Sequence, residues 1–350
     1  MRAAERERGA AGAGEIRAVV LAADGPEIVP SAPWQLRYEH GLIARPLAIG
    51  VCQSDIKEVA RLREGPSQFG HELVAQVEAA WGDAPAAVGD RVCLDPNAPI
   101  HRGTGFATLM PADGPAETLR TAFHRVPPGA PLHRLVFAEP LACAVRCVDK
   151  ALRHRGAPRL APCRIGVVGA GIAGTLIALC ARELGASVRL FNRTEDRLAF
   201  LEGTGLLDGR ELGPLDSIRD DLDMTILATD FVRDELLRWA LRATRPGGLV
   251  ILYGGTRAGD TLAEAGVEVN RLRRDEQAAS ITWGDKALTI AGTYGTDPAS
   301  FARAIAWLAC DPARFALERL IVREIGLDEL PHLLKRSAFT RSVGKTVVIP

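Results

Sequence analysis

Three side chains that could hold a metal ion lie where two apolar segments of the chain end or begin. Cys52 follows the apolar run at 42–51, and His71 and Glu72 open the next one. A thiolate, an imidazole and a carboxylate make a ligand set that suits zinc, and three protein ligands with one open position are typical of catalytic zinc. Singly, Cys52 and His71 are equally typical of core residues, so the prediction depends on their occurring together.

A glycine-rich segment, GVVGAGIAG, predicts a dinucleotide-binding turn. Gly169, Gly171 and Gly174 have the G-x-G-x-x-G spacing, follow a predicted strand and open a predicted helix. These glycines allow a tight turn, the close approach of a pyrophosphate and close packing of helix on strand. We expect the backbone amides of Ile172, Ala173 and Gly174 to bind the phosphates.

The end of the next predicted strand bears on the choice of cofactor. An acidic residue that binds the ribose diol of NAD is expected there, but SVRLFNRTEDR ends in Asn192, followed by Arg193 and then Arg197. A missing acid and a nearby guanidinium suit the ribose phosphate of NADP. The pattern favours NADP(H). NAD(H) is the alternative if Arg193 faces solvent or stacks on the adenine.

Two kinds of sequence pattern follow one another along the chain, and its 350 residues are enough for two domains. Short β-like runs separated by Gly, Pro and Asp predict a mostly β domain over 16–160. Strands alternating with helices over 161–296 predict an α/β domain with a doubly wound parallel sheet. Residues 297–350 could complete either domain. Residues 1–15 have no apolar stretch and are expected to be a disordered tail.

The composition of the chain bears on its binding partners and on the cellular compartment in which it works. The 43 basic and 43 acidic side chains give a formal net charge of zero, which argues against a nucleic-acid partner. No apolar run reaches the roughly 18 residues that span a bilayer, so no membrane segment is predicted. Seven scattered cysteines, an odd number, argue against a disulfide framework and favour a reducing compartment. We therefore expect a cytoplasmic protein.

Five motifs, GVCQSD, FGHE, VGDRV, FAEPLA and GVVGAGIAG, occur in this order over nearly the whole chain. Together they resemble the zinc-dependent, alcohol dehydrogenase-like part of the medium-chain dehydrogenase/reductase superfamily, with the sorbitol and threonine dehydrogenase branch closest. The resemblance implies a GroES-like domain that carries zinc, a Rossmann domain, and a C-terminal segment at 297–350 that returns to the first domain. It also implies a homodimer, joined through the edge of the Rossmann sheet, or a homotetramer.

The resemblance implies a metal shell as well. Cys52 and His71 are expected to be zinc ligands, and Glu72 and Glu139 compete for the remaining positions. By itself, Glu139 is also compatible with a simple acidic residue at a helix start. No cysteine lies between Cys93 and Cys143, where relatives carry a four-cysteine lobe. We therefore expect one catalytic zinc per chain and no structural zinc.

Three further residues receive roles from the same resemblance. Ser54 is expected to relay the alcohol proton, and Asp55 to orient His71. Lys57 stands where many relatives have a histidine, so the proton leaves by another route or directly to water. The segment 271–287 is longer than usual and has no predicted function.

The implied reaction is hydride transfer between NADP(H) and a polar secondary alcohol or ketone of a sugar, polyol, cyclitol or aminocyclitol. The first alternative is an NAD-dependent polyol dehydrogenase with the same zinc chemistry. The alternative from another class is a catalytically silent NADP(H)-binding redox sensor.

Overall fold

The computed structural model of the protein describes residues 16–31, 33–63, 65–156, 158–217, 221–310, 315–336 and 343–350. The predicted tail at 1–15 lies outside these ranges. The strands are β1 (Arg17–Ala22), β2 (Gly25–Pro30), β3 (Gly41–Gly50), β4 (Glu72–Trp81), β5 (Arg91–Leu94), β6 (His101–Arg102), β7 (Met110–Asp113), β8 (Phe123–Arg125), β9 (Arg164–Val168), β10 (Ser187–Asn192), β11 (Leu212–Pro214), β12 (Leu222–Leu227), β13 (Thr244–Leu252), β14 (Thr261–Leu262), β15 (Val267–Glu268), β16 (Ala278–Trp283), β17 (Lys286–Gly292), β18 (Ile321–Gly326) and β19 (Lys345–Ile349).

Helices connect and cover these strands. They are α1 (Gln53–Val59), α2 (Ala116–Ala122), α3 (Leu132–Leu135), α4 (Ala138–Arg155), α5 (Ile172–Glu183), α6 (Glu195–Thr204), α7 (Asp234–Ala243), α8 (Val269–Arg274), α9 (Pro298–Cys310) and α10 (Leu330–Lys335). Among the described residues, no helix combines the length and the apolar character needed to cross a bilayer.

The described residues form two compact units. The first contains the described residues up to Glu139 together with those of 305–312 and 321–350, and the second contains those of 140–304 and 313–320. The chain therefore passes to the second unit about twenty residues before the predicted boundary at 160. The reason lies in α4, whose side chains are bound within the second unit. Asp149, for example, accepts a hydrogen bond from Arg303 at 2.6 Å.

The first unit is built on a sheet in the order β18-β19-β3-β4-β5-β8, with β7 also pairing with β3. Its apolar core contains Leu42, Ile49, Leu73 and Phe106, all buried. The antiparallel register pairs Gly50 of β3 with Glu72 of β4. The end of β3 and the start of β4 therefore lie side by side, and these are the ends that carry the predicted metal ligands.

The second unit contains a seven-stranded sheet in the order β11-β10-β9-β12-β13-β17-β16. Its neighbouring strands pair in parallel except for β16, which forms an antiparallel hairpin with β17. The chain order reverses between β9 and β12, as in doubly wound sheets. The predicted α/β class is thus confirmed, and the long segment 271–287 forms the end of α8 and the edge strand β16.

The segment between Cys93 and Cys143, which lacks the four-cysteine lobe, contains a buried carboxylate. Asp113 ends β7 and is fully buried. It accepts hydrogen bonds from Nε1 of Trp34 (3.2 Å) and from the amides of Arg37 (2.7 Å) and Tyr38 (2.8 Å). Its Oδ1 also lies 2.7 Å from Nδ1 of His101, whose ring stacks on Trp34. One carboxylate therefore holds the loop before β3 against β6.

This arrangement predicts a strong dependence of stability on Asp113. Asp113→Asn removes the negative charge and replaces one of the two acceptor oxygens with an NH2 donor, so we expect the free energy of unfolding to fall by about 2–3 kcal/mol. The matched control is Asp328→Asn, because Asp328 forms an exposed ion pair with Arg17. Its expected cost is below about 1 kcal/mol. Urea unfolding measures both, and equal losses would contradict the assigned role of Asp113.

Candidate functional site

The predicted metal ligands converge in the first unit. Cys52, His71 and Glu72 each place one potential ligand atom within 4.8 Å of the others. His71 and Glu72 are buried, and Cys52 is half-buried. Glu139, near the start of α4, reaches the same place, since its Oε2 lies 3.9 Å from Nε2 of His71. All four candidate ligands are therefore brought together, from three separate parts of the chain.

The imidazole of His71 is oriented by a backbone carbonyl. Its Nδ1 lies 2.9 Å from the carbonyl oxygen of Gln68, which can only accept a hydrogen bond. In the neutral ring, Nδ1 is thus the protonated nitrogen, and Nε2 carries the lone pair that a metal would bind. The predicted orienting acid, Asp55, lies 3.8 Å from Nδ1, which is beyond hydrogen-bonding distance.

Asp55 instead connects the two segments that carry the ligands. Its carboxylate accepts hydrogen bonds from the amides of Cys52 (2.7 Å) and Gly70 (3.0 Å). Burial raises the pKa of Asp55 to about 6, although His71 and the two amides act in the opposite direction. The residue therefore fixes the spacing of Cys52 and His71 rather than the orientation of the ring.

Lys345 belongs to the site and was not predicted from the sequence. Its Nζ forms a buried ion pair with Oε2 of Glu72 and donates to the carbonyl of Val51 at 3.3 Å. Strand β19 brings the lysine here, because Val347 pairs with Gly50. A Cβ at Gly50 would lie 2.5 Å from Oε2 of Glu72, so only glycine leaves room for this carboxylate. The available signal was a lysine opening the apolar strand KTVVI.

The charges of the site fit a divalent cation. Burial and the charge of Glu72 raise the pKa of the Cys52 thiol. Burial lowers the pKa of His71, but the hydrogen bond with Cys52 and the charge of Glu139 raise it more strongly. A metal deprotonates the thiol that binds it, so with a metal bound Cys52, Glu72 and Glu139 would carry three negative charges beside the ammonium of Lys345. A dication would balance them, and one sulfur, one nitrogen and carboxylate oxygens form a set that zinc accepts.

Two further candidates lie on α1, directly after Cys52. The Oγ atom of Ser54 is buried and has no hydrogen-bond partner within the described residues. A buried hydroxyl without a partner is costly, and a ligand that donates or accepts a hydrogen bond would satisfy it. Lys57 is half-buried and lies three residues further along the same helix. Ser54 thus has the unused hydrogen-bonding capacity that a proton relay requires.

In the second unit, the glycine-rich segment forms the turn from β9 into α5. Gly169 has a φ of 114°, and α5 begins at Ile172 with Gly171 as its extended N-cap. A Cβ at Gly174 would lie 1.8 Å from the carbonyl oxygen of Gly169, so glycine is needed for this close packing. The amide of Ala170 is held by a 3.1 Å hydrogen bond to Oδ1 of Asn192.

The three residues predicted to select the cofactor have different surroundings in the structure. The side chain of Asn192 is already engaged, by Ala170 and by Oγ1 of Thr194 at 2.9 Å. Arg193 is exposed. Arg197 is half-buried, and its Nη1 lies 3.8 Å from the position a Cβ would occupy on Gly171. Burial lowers the pKa of this guanidinium. Arg197 is therefore the arginine that lies against the dinucleotide turn.

Comparison with known proteins yields two matches at the level of sequence. The family described as "Alanine dehydrogenase/PNT, C-terminal domain" matches residues 151–232, the first part of the second unit. A Haemophilus influenzae protein described as an uncharacterized zinc-type alcohol dehydrogenase-like protein is 28% identical over 212 residues, or 55% of this chain. The match spans 60% of that protein's length.

Solved structures match over almost the whole chain. A protein of Sinorhizobium meliloti 1021, named as a zinc-binding dehydrogenase and solved with NADP, has a TM-score of 0.72 and 21% identity, covering 97% of this chain and 100% of its own. Galactitol-1-phosphate dehydrogenase from Escherichia coli has a TM-score of 0.70 and 17% identity, covering 95% and 100%. At these identities the likeness shows the shared fold.

The ordered motifs, the two-unit architecture and these matches agree with one another. They bear out the predicted resemblance to the medium-chain dehydrogenase/reductase superfamily.

Proposed function

We propose that the protein is a zinc-dependent oxidoreductase that transfers a hydride between NADP(H) and a secondary alcohol or ketone. The observation that carries this proposal is the convergence of Cys52, His71 and Glu72, with Glu139 beside them. The Haemophilus relative is named for zinc and alcohol dehydrogenation, which supports the same chemistry. A sugar, polyol, cyclitol or aminocyclitol is the proposed substrate, and one structural neighbour is named for a polyol phosphate.

The residues of the site divide the work of this reaction. Zinc bound there supplies a Lewis acid for the substrate oxygen. Lys345 pairs with Oε2 of Glu72 and offsets its charge, and the same carboxylate would help to hold the metal with Cys52, His71 and Glu139. Ser54 is available to relay the alcohol proton, since its unpartnered hydroxyl can accept that proton while its own proton passes to water, either directly or as Lys57 gives up a proton in exchange. We propose one zinc per chain.

The cofactor proposal rests on the second unit. The turn at Gly169–Gly174 offers amides to the pyrophosphate, and no carboxylate ends β10. Arg197 lies against the turn, and Arg193 is exposed beside it. NADP(H) is therefore preferred, in line with the NADP bound to the Sinorhizobium neighbour. We also propose a homodimer joined at the exposed edge of this sheet, where β16 is the last strand.

Two alternatives are separated by simple measurements. An NAD-dependent polyol dehydrogenase would bind the same zinc but would show no preference for NADPH over NADH. A silent redox sensor would bind the cofactor yet leave its absorbance at 340 nm unchanged with every polar alcohol or ketone tested. The proposed enzyme requires zinc, a preference for NADPH and turnover of at least one such compound.

The proposed metal site predicts that Cys52 is required for zinc binding and that another cysteine of the same unit, Cys93, is not. Protein purified without chelator is expected to hold one zinc per chain, and Cys52→Ala to lose it together with activity, because the thiolate ligand is gone. Cys93→Ala is the matched control, since Cys93 is buried in the same unit and outside the ligand group. Mass spectrometry measures the metal. Full zinc content in Cys52→Ala would exclude the proposed site.

The buried ion pair predicts a stability effect that depends on zinc. In Lys345→Met, the carboxylate of Glu72 loses its counterion, and metal-free protein should lose about 3–5 kcal/mol of unfolding free energy. Zinc should reduce this loss, because the cation supplies a new counter-charge. Lys335→Met is the control, since Lys335 is exposed. Urea unfolding with and without zinc measures the effect, and a loss that zinc leaves unchanged would contradict the proposed contact of Glu72 with metal.

The cofactor proposal predicts a selective loss of NADPH binding. Arg197→Ala and Arg193→Ala each remove a cation expected to bind the ribose phosphate, so the Kd for NADPH should rise about tenfold or more while the Kd for NADH changes little. Arg210→Ala is the control, because Arg210 is exposed and paired with Asp208. Fluorescence titration with both nucleotides measures these constants. Equal weakening of NADH and NADPH in both variants would contradict the selective role.

A further inference from the structure

The carboxyl ends of β13 and β17 carry a second group of cationic and aromatic side chains, far along the sheet from the glycine-rich turn. Arg273 is the next-to-last residue of α8 and donates through Nε to the carbonyl of Tyr253 at 3.0 Å. Its guanidinium lies 5.1 Å from the ring centroid of Tyr294, and that of Arg274 lies 5.6 Å from the same ring. Tyr253 directly follows β13, and Tyr294 comes two residues after β17.

The position of Arg273 is fixed by its backbone. A Cβ on Gly292, the last residue of β17, would lie 2.3 Å from Cα of Arg273, so the backbone of α8 packs directly on the strand. Just beyond the helix, Glu276 accepts a hydrogen bond from the amide of Tyr294 at 3.1 Å and forms a two-contact ion pair with Arg146. The arginine is therefore held in place before any ligand arrives.

Among the described residues, Arg273 has no carboxylate counterion. The side chain is half-buried, and burial lowers its pKa. It makes no ion pair with any carboxylate that the structure describes, and Arg274 adds a second positive charge beside it. A desolvated charge without an anionic partner is unfavourable, and the planar guanidinium matches the geometry of a phosphate or carboxylate. This arrangement is suited to an oxyanion.

The location separates this oxyanion from those of the dinucleotide. In open α/β sheets, ligands bind outside the carboxyl ends of the strands. Strand β17 is four positions from β10, whose end carries Arg193, and three positions from β9, which leads into the glycine-rich turn. At about 4.8 Å per strand these separations are roughly 19 Å and 14 Å. The group at Arg273 is therefore not the ribose phosphate or the pyrophosphate of a cofactor bound at that turn.

We propose that Arg273, assisted by Arg274, binds a phosphate or carboxylate group of the substrate. The substrate class is then an anionic alcohol or ketone rather than a neutral one. The reaction in this statement rests on the proposed function. The oxyanion site itself lies wholly in the second unit and is expected to bind its ligand whether or not the protein catalyses hydride transfer.

The binding test uses inorganic phosphate and acetate as probes. Both are titrated by calorimetry into the full-length protein, alone and with saturating NADPH, which occupies the phosphate sites of the dinucleotide. Arg273→Gln is expected to weaken binding of the preferred probe about tenfold or more, as loss of a charge-assisted hydrogen bond implies. Arg271→Gln is the matched control, because Arg271 is exposed on the same helix. Its Kd values for phosphate and acetate should stay within about twofold of those of the unsubstituted protein, because an exposed charge contributes little.

The probe that binds more tightly identifies the oxyanion as a phosphate or a carboxylate. If Arg273→Gln fails to fold, Arg273→Lys is the second variant, because it keeps the positive charge. Arg273→Lys should bind at an intermediate level, because it keeps the cation without the fork. Unchanged phosphate and acetate binding in both variants would overturn the proposal and leave Arg273 as a residue that only stacks on Tyr294. Absence of binding by the unsubstituted protein at tens of millimolar would overturn it as well.

The kinetic test compares sorbitol with sorbitol 6-phosphate, and dihydroxyacetone with its phosphate ester dihydroxyacetone phosphate, so that each pair differs only in the anionic group. Arg273→Gln should lower kcat/KM about tenfold for the phosphorylated member, mainly through KM, and leave the neutral member unchanged. No turnover in either pair, with phosphate binding intact, would count against the proposed function alone. Turnover of both members with no selective effect of Arg273→Gln would count against the oxyanion site alone.

Discussion

The first unit is organised around a concentration of buried negative charge. Cys52, Glu72 and Glu139 surround the imidazole of His71, and one buried ammonium, from Lys345, faces them. Buried charges of one sign are tolerated only where partners offset them. The strand order of this unit meets that need, because β19 lies beside β3 and carries the lysine to the carboxylate. A metal ion completes the balance, so the same arrangement stabilises the fold and prepares a site.

Fixed backbone contacts keep this charged group in one geometry. Asp55 holds the amide of Cys52 to that of Gly70, and the carbonyl of Gln68 fixes the ring of His71. These contacts come from the backbone or from one fully buried carboxylate, and they leave the outward-facing ligand atoms uncommitted. Rigid support of this kind is what metal sites require if the metal is to keep an open position for substrate.

The metal-ligand candidates and the glycine-rich turn could be predicted from the sequence. The spacing of Cys52 and His71 at the ends of apolar runs, and of the glycines after β9, reflects local chemistry that a single sequence displays. Lys345 escaped prediction because its partner lies 273 residues away, and only the pairing of β19 with β3 brings them together. The role expected of Asp55 shifted to Gln68 because a backbone carbonyl leaves no mark in the sequence. Arg273 was overlooked for the same reason, since its surroundings depend on the contact of α8 with β17.

In the proposed site, the first unit binds one zinc through a thiolate, an imidazole and carboxylates. X-ray absorption at the zinc edge, on protein never exposed to chelator, would report these ligands. We expect a single Zn–S distance of about 2.3 Å, with the remaining ligands being nitrogen and oxygen at about 2.0–2.2 Å. A shell of four sulfurs, a shell without sulfur, or the absence of zinc would contradict the proposed site.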